Sequence, residues 1–286
     1  MKSTVDKKWL EKLGVKLPII QAPMAGADSL EMAVAVANAG GLGSLACAML
    51  TPEQVRETWY AMRRQTGRPV NLNFFCHTQK EKSEPEQQRW RQILAPYYAE
   101  LGLDPNAEIN APTRVPFDES YCAAVEEIRP QVLSFHFGLP PADLLRRVKA
   151  TGALVLSSAT TVEEALWLEQ NGCDIVIAQG TEAGGHRGMF LTEDLSTQIL
   201  TVDLLKQLSD VISIPVVAAG GIAGPEGVKN ALSQGASAVQ VGTAYLFCAE
   251  ARVSPLYREA LRSNGATALT NIFSGKPARG IVNRFI

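Results

Sequence analysis

The chain has 286 residues, 46% of them hydrophobic and 20% charged. That length suits either two ordinary domains or one parallel α/β barrel with a modest surplus, and it buries enough surface to need no disulfide or metal staple. Twenty-seven basic against 29 acidic side chains leave a net charge of −2, which supplies no overall attraction for nucleic acid and leaves only a local basic patch as a route to it.

Five widely spaced cysteines (Cys47, Cys76, Cys122, Cys173 and Cys248) form no CxxC pair. This excludes a zinc knuckle or a thioredoxin-type motif and fits free thiols in a reducing compartment. The N-terminal stretch lacks the apolar core of a signal peptide, and no apolar run is long enough to span a membrane. The expectation is a soluble, cytoplasmic protein that binds neither nucleic acid nor membrane.

In chain order, apolar runs predict strands at 18–24 (PIIQAPM), 41–46, 69–75 (PVNLNFF), 132–138 (VLSFHFG), 153–159, 174–180 (DIVIAQG), 215–221 (PVVAAGG) and 238–246 (AVQVGTAYL). They lack strict alternation, as strands covered on both faces do. Between them, 51–67 reads as a helix with Thr51 as N-cap, Pro52 in its first turn and Gly67 at its end. The stretch 160–172 reads likewise, with a Thr cap, early glutamates and Gly172 as a stop. Eight strands alternating with helices predict right-handed βα units closed into a TIM-type (β/α)8 barrel. An open doubly wound sheet would carry GxGxxG after its first strand, where this chain has APMAGADS.

The strand spacing places two insertions after strands, on the face where barrels do their chemistry. One covers 76–117 and includes a helical stretch at 84–101; the other is a loop over 181–200. The predicted organisation is a barrel of 1–75 and 118–286 with a small, mainly helical inserted cap region at 76–117. The C-terminal region 250–286 is expected to join the cap.

Three groups carry chemistry. Gly220 and Gly221 follow the seventh strand and Gly242 and Thr243 the eighth, where barrels frequently hold a phosphate on backbone N–H groups. The competing reading is that these glycines only turn the chain. The run Gln179-Gly180-Thr181-Glu182-Ala183-Gly184-Gly185-His186-Arg187-Gly188 can lie against a planar ligand and sets one imidazole, His186, at the barrel mouth. That imidazole suits a general base or an electrostatic partner for an anion. The glycines between Glu182 and His186 argue against a helical turn joining them. Asn71 and Asn73 share one strand face, and an amide at Asn73 can bond a heterocycle's edge. His77, His136 and His186 all lie at or after strand ends, but no HxH, HExxH or carboxylate–histidine cluster is present, so no metal is expected. His136 shares its face with Ser134 and is a substrate-side candidate. GxSxG is absent.

At these residues the chain resembles the nitronate monooxygenase family, formerly called 2-nitropropane dioxygenases. The matching segments are QAPMAG (21–26), NAGGLGS (38–44), NLNFF (71–75), SFHFG (134–138), QGTEAGGHRG (179–188), AAGGI (218–222), QVGTAY (240–245) and SGKPARGIVN (274–283). The resemblance implies flavin mononucleotide (FMN) on a TIM-type barrel and oxidation of an alkyl nitronate by O2 to a carbonyl compound and nitrite. It implies that Ala22, Pro23 and Met24 line the flavin, that Asn73 and Gln179 bond it, and that Gly184 and Gly185 pass near it. Gly221, Gln240, Val241, Gly242 and Thr243 would hold its phosphate. His186 matches the family's active-site histidine, assigned either to proton abstraction from a neutral nitroalkane, which needs a neutral imidazole, or to stabilising the nitronate, which a charged one aids. Many members continue past the segment matching ARGIVN, and that added part would extend the helical domain beside the active site. The implied partners are a small nitronate or nitroalkane and O2, with a homodimer among the open arrangements. Two alternatives are a flavin- and NAD(P)H-dependent enoyl-acyl-carrier-protein reductase, which shares the EAGGH loop but is opposed by SFHFG, and a non-enzymatic flavin-binding protein, opposed by the glycines together with His186.

Overall fold

Eight short parallel strands form one sheet in a computed structural model that describes residues 7–78, 83–104, 106–107, 114–263 and 265–286. The strands are β1 (Ile19–Gln21), β2 (Gly43–Ala46), β3 (Val70–Phe75), β4 (Val132–His136), β5 (Leu154–Ala159), β6 (Ile175–Gln179), β8 (Val216–Ala219) and β9 (Ala238–Val241). A two-residue strand, β7 (Gly185–His186), stands apart from them. The order β1-β9-β8-β6-β5-β4-β3-β2 closes on itself through an Ile20–Leu42 bridge, in which Gln21 N donates to Leu42 O at 2.9 Å. The result is a TIM-type (β/α)8 barrel, as the spacing predicted.

The helices are α1 (Lys7–Leu13), α2 (Leu30–Ala39), α3 (Pro52–Arg63), α4 (Glu84–Glu100), α5 (Glu119–Ile128), α6 (Ala142–Ala150), α7 (Val162–Gln170), α8 (Thr201–Leu208), α9 (Pro225–Ser233) and α10 (Pro255–Arg262). Local chemistry explains their starts. Thr51 and Gln54 form a reciprocal capping box, and Thr161 Oγ1 accepts from Glu164 N. Each barrel strand sends alternate residues outward and inward. Leu72, Phe74, Leu133 and Phe135 pack outward with Trp59 and Val125, whereas Ile20, Val132, Leu156, Ile175, Ile177 and Val217 fill the lower interior over Trp9, Leu10 and Leu13. Helix α1 therefore plugs the N-terminal end, and the open end is the one toward which the strands run.

The strands predicted over 41–46, 132–138 and 215–221 are shorter by one or two residues at one or both ends, at Gly43–Ala46, Val132–His136 and Val216–Ala219, and three further boundaries are corrected by local chemistry. The strand predicted over 238–246 ends at Val241, and Thr243–Phe247 is a 3₁₀ turn in which Tyr245 N donates to Gly242 O at 2.9 Å. The helix predicted to reach Gly67 ends at Arg63, because the Thr66 hydroxyl donates to Asn38 Oδ1 at 2.6 Å and draws the chain toward α2. The strand predicted over 18–24 ends at Gln21, since Met24 enters a turn in which Ala27 N and Asp28 N both donate to Met24 O.

The 181–200 segment is tied down on both sides. β7 pairs antiparallel with β11 (Ala278–Ile281), which in turn pairs with β10 (Thr267–Thr270). The insertion predicted over 76–117 contains α4, and its residues 79–82, 105 and 108–113 lie outside the described residues, as does the N-terminal stretch 1–6. Arg284 bonds Glu100 of α4 and lies over the Tyr97 ring at 5.3 Å, so the C-terminal segment touches the inserted helix. Among the described residues, no helix is long and apolar enough to cross a membrane.

Candidate active site

The alternation that fills the lower barrel with apolar side chains puts polar ones at its upper rim. Asn71, Asn73, Ser134, His136, Ser158, Gln179 and Gln240 belong to the inward set of their strands. Ser134 Oγ joins two amides, accepting from Asn71 Nδ2 at 2.9 Å and Asn73 Nδ2 at 2.8 Å. Gln240 Oε1 is buried and has no hydrogen-bond partner among the described residues. A buried acceptor left unpaired is costly, so this amide presents a vacancy for a donor.

The His186 loop is positioned from both sides. Gln179 Nε2 donates to His186 O at 2.9 Å, and Gly188 N donates to Gln179 Oε1 at 2.7 Å. Gln179 thus spends both ends of its amide on the loop. His136 lies beneath, its Nδ1 3.0 Å from Ser158 Oγ and its Nε2 3.3 Å from His186 O. Gly188 is required there, because a Cβ would stand 2.8 Å from Ser158 Cβ and 2.9 Å from His136 Cε1. His186 itself is half-buried, with Nε2 2.7 Å from Ser274 Oγ. Phe75 and Phe137 present their rings to it at 6.3 and 6.1 Å between centroids. His77 stands edge-on to the same pair. The structure thus gathers all three histidines around one aromatic pair.

Electrostatics keep these imidazoles neutral. Burial pulls His186 down to about 4, assisted by the cations Arg114 and Lys276. Burial pulls His136 down further, to about 3, with His186 the next cause. Lys276 Nζ sits 4.9 Å over the Phe137 ring.

The glycine group gathers around the start of the same loop. Gly220 and Gly221 take φ of 123° and 69°, left-handed values that favour glycine. A Cβ on Gly220 would meet Thr201 Oγ1 at 2.7 Å and Ala183 N at 3.0 Å. A Cβ on Gly184 would stand 3.6 Å from Thr243 Oγ1, and one on Gly242 3.5 Å from Ala22 Cβ and 3.9 Å from Met24 Sδ. Ala22, Met24, Gly184, Gly242 and Thr243 therefore share one neighbourhood, with half-buried Pro23 between two of them. Gly185, at φ 74°, pairs with Arg279 instead. Val241 points its side chain into the outer layer and contributes a carbonyl that accepts from Ala22 N at 2.8 Å. Cβ-free backbone beside a buried, unpaired amide acceptor fits a planar heterocycle carrying a phosphate.

That combination has a counterpart among known proteins: the family described as nitronate monooxygenase matches residues 7–286. The chain belongs to the nitronate monooxygenase family. Its members are flavin-dependent oxidoreductases. A nitronate monooxygenase of Pseudomonas aeruginosa is 44% identical over 280 residues, which cover 97% of this chain and 80% of that protein. One from Paraburkholderia phytofirmans is 40% identical, covering 99% of this chain and 78% of the relative. Among solved structures, nitroalkane oxidase from Streptomyces ansochromogenes superposes with a TM-score of 0.87 at 37% identity, over 96% of this chain and 80% of that one. FabK from Thermotoga maritima follows at 0.72 and 27%, over 96% and 74%. The chain thus shares the barrel of that nitroalkane oxidase.

Sequence reasoning left several residues of this site without a role. Ser158 and Ser274 meet histidines only through folding. Glu164, which reads as a helix-start acid, is fully buried and accepts from Phe190 N at 2.6 Å and Thr160 N at 2.7 Å, fastening the end of the His186 loop. Glu182 accepts from Thr201 N at 2.9 Å at the start of α8. Asp28 Oδ2 accepts from Met24 N and Ala46 N, both at 2.9 Å, and so holds the Met24 turn against β2.

Asp28 has a pH consequence. Burial raises it from its ordinary 3.8 to about 6, against the pull of those two N–H groups and of Arg252. A folded value above the unfolded one means that its contribution to stability is full below pH 3.8 and is lost as pH rises through about 6. A shift of that size corresponds to roughly 3 kcal/mol at most. Asp28→Asn, which keeps a neutral carbonyl acceptor, is expected to flatten the pH dependence between 4 and 7 and to raise stability at pH 8 by about 1–3 kcal/mol. Urea denaturation across that range checks it, and a mutant curve parallel to the parent's would contradict it.

Proposed function

We propose that the chain catalyses FMN-dependent oxidation of alkyl nitronates, and of nitroalkanes after deprotonation, by O2 to carbonyl compounds and nitrite. The observation that carries this reading is a neutral imidazole, His186, anchored on Ser274 and flanked by Phe75 and Phe137, on the same loop as Gly184 of the Cβ-free cradle. Gly220, Gly221, Gly242 and Thr243 would hold the phosphate, Asn73 and Gln240 the ring edge, and Ala22–Met24 one ring face. Bound FMN supplies the redox chemistry with O2.

The protein's own part is acid–base and electrostatic. The Ser274 hydroxyl can donate to Lys276 O at 3.4 Å while accepting from His186 Nε2. That arrangement keeps the imidazole hydrogen on Nε2 and leaves the Nδ1 lone pair to take a proton from the carbon bearing the nitro group. Arg114 and Lys276, the charges that assist burial in keeping the imidazole neutral, favour the nitronate anion so formed. Membership of the family supports this chemistry over enoyl reduction, and FabK is the more distant likeness.

Purified protein loaded with FMN is expected to consume O2 and release nitrite when given the nitronate of 2-nitropropane. Absence of both with every nitronate tried would overturn the reading. For a neutral nitroalkane, kcat/KM reports the free enzyme's base, so its acidic limb is expected near pH 4; a limb at 6.5 or above contradicts the neutral-imidazole assignment. Ser274→Ala is expected to slow neutral nitroalkanes by about 3–10-fold through the loss of one positioning bond. Preformed nitronates need no proton removed and should keep near-parental rates. Equal slowing of both substrates would remove Ser274 from proton transfer.

A further inference from the structure

Two of the three histidines around the aromatic pair have their nitrogens accounted for. His136 spends Nδ1 on Ser158 Oγ and Nε2 on His186 O, and His186 bonds Ser274 through Nε2 and keeps Nδ1 for the substrate. His77 differs. Its Nδ1 is buried and has no hydrogen-bond partner among the described residues. Its ring makes a hydrogen bond with the Arg114 backbone that favours the protonated form, so a ring N–H donates to the Arg114 carbonyl. With Nδ1 unpaired, that hydrogen is on Nε2, and the neutral ring keeps a bare lone pair at Nδ1. Packing does not call for a nitrogen there. The ring meets Phe75 and Phe137 edge-on, at 6.0 and 6.1 Å between centroids, and a phenyl ring would make the same contacts. Buried polar atoms are nearly always paired, yet this one is unpaired on a backbone that is firmly held. Cys76 N donates to His136 O at 2.8 Å, and Phe117 N donates to Phe75 O at 2.7 Å.

We propose that His77 determines substrate specificity: its Nδ1 accepts a hydrogen bond from a hydroxyl on the carbon chain of the nitro compound, so that nitroalcohols are preferred over plain nitroalkanes of the same length. The inference rests on the reading that His186 receives the substrate. His77 is placed to reach that substrate, because both imidazoles flank the same two phenyl rings and His77 is near enough to His186 to act on its charge. A lone pair asks for a donor, and the surroundings narrow which one. Burial lowers the proton affinity of His77, and the charges of Lys276 and Arg114 lower it further, so the ring stays neutral in a cationic neighbourhood. An ammonium group on the substrate would be repelled there. A carboxylate or an ether has no hydrogen to give. A hydroxyl has one, and its oxygen tolerates nearby cations.

The test uses FMN-loaded protein and paired nitronates, those of 3-nitropropan-1-ol and 1-nitropropane and those of 4-nitrobutan-1-ol and 1-nitrobutane. In at least one pair the hydroxylated member is expected to have a kcat/KM higher by about 3–10-fold, the worth of one hydrogen bond. His77→Phe keeps the ring edge and removes the nitrogen, and should bring that ratio to about one. His77→Asn, whose amide can set an oxygen near the place of Nδ1, should restore part of it. A ratio taken within one protein cancels any loss of folded or loaded enzyme. The second readout is binding alone: calorimetry with 4-hydroxybutyrate against butyrate and 5-hydroxyvalerate against valerate, whose carboxylates copy the planar anion of a nitronate. The same preference is expected, and the same loss in His77→Phe. A parent protein indifferent to the hydroxyl in both pairs and both readouts would overturn the proposal and assign the Nδ1 position to water. A preference that survives His77→Phe would overturn it too, since another group would then read the hydroxyl. Nitrite release does not enter the binding readout, so failure here is distinct from failure of the proposed function.

Discussion

Arg187→Leu is expected to cost about 3–5 kcal/mol of stability and to lower turnover about 100-fold. Arg187 is fully buried, yet among the described residues its hydrogen bonds go to carbonyl and amide oxygens and not to a carboxylate. Its Nη1 donates to Gly180 O at 2.7 Å, Nη2 to Gln179 O at 2.8 Å, and Nε to Gln198 Oε1 at 2.9 Å. Its own backbone N donates to Pro277 O at 2.8 Å. One guanidinium thus binds the end of β6, the far side of the loop and, through its backbone, the C-terminal segment carrying Ser274 and Lys276. Glu164 and Glu182 supply countercharge from nearby, while burial, followed by Arg279, brings the guanidinium down to about 10. Leucine fills much of the volume but leaves carbonyls without donors in a buried site, at about 1–3 kcal/mol each. The neighbouring His186 would then lose its fixed relation to Ser274, and misplacement by about 1 Å can cost 100-fold. Arg187→Lys is no rescue, because one ammonium cannot reproduce three diverging planar donors. Urea denaturation and steady-state kinetics check both effects. A leucine variant within about 1 kcal/mol of the parent would show that the loop is held by its other ties alone.

Why Arg187 could not be read from the sequence marks the boundary between the legible and the illegible here. The barrel was legible because each strand is a local apolar run ended by glycine or a helix cap, and such signals lie within a few residues of what they cause. Asn73 and His136 were legible as inward-facing for the same reason: alternation along β3 and β4 is a local rule. Gly220 and Gly221 were flagged by composition, and their left-handed φ gives the reason they are glycine. What escaped depends on partners far away in the chain. β7 exists only because β11 runs alongside it, and Ser274 reaches His186 across 88 residues. Glu164 had a complete local explanation as a helix-start acid, and that explanation hid its bond to Phe190. The family resemblance implies that Gln179 bonds the flavin; that its amide also holds the loop's backbone depends on residues seven and nine positions on and was not legible. The strand predicted through 246 failed at Gly242 because an apolar run does not reveal where a barrel strand must stop and turn.

Gly43→Ala is the second large effect, and it tests packing rather than chemistry. A Cβ at Gly43 would lie 1.9 Å from Ala33 O, 2.7 Å from Ala33 C and 2.8 Å from Ala33 Cα. These are backbone atoms of α2, so no side chain can rotate away. The helix itself would have to retreat from β2, and α2 is held at both ends: Ser29 Oγ donates to Glu250 O at 2.8 Å, and Lys16 N donates to Gly40 O at 2.8 Å beyond its C-cap. Overpacking ordinarily costs about 1–3 kcal/mol; against immovable backbone the expected loss is about 4 kcal/mol or more, the upper end of single-substitution effects, and the variant should accumulate poorly in soluble form. The damage should also reach the site, because Asp28 bonds both Ala46 of β2 and Met24 of the candidate flavin face. Gly67→Ala is the control. Nothing lies within 4 Å of its Cβ position and its φ is not left-handed, so it should be neutral or stabilising by up to about 1 kcal/mol. Thermal unfolding of the two variants side by side decides the matter. A Gly43→Ala protein melting within a few degrees of the parent would mean that α2 and β2 can part without loss. The GGLGS segment would then have to owe its glycines to something other than the close approach of helix to strand.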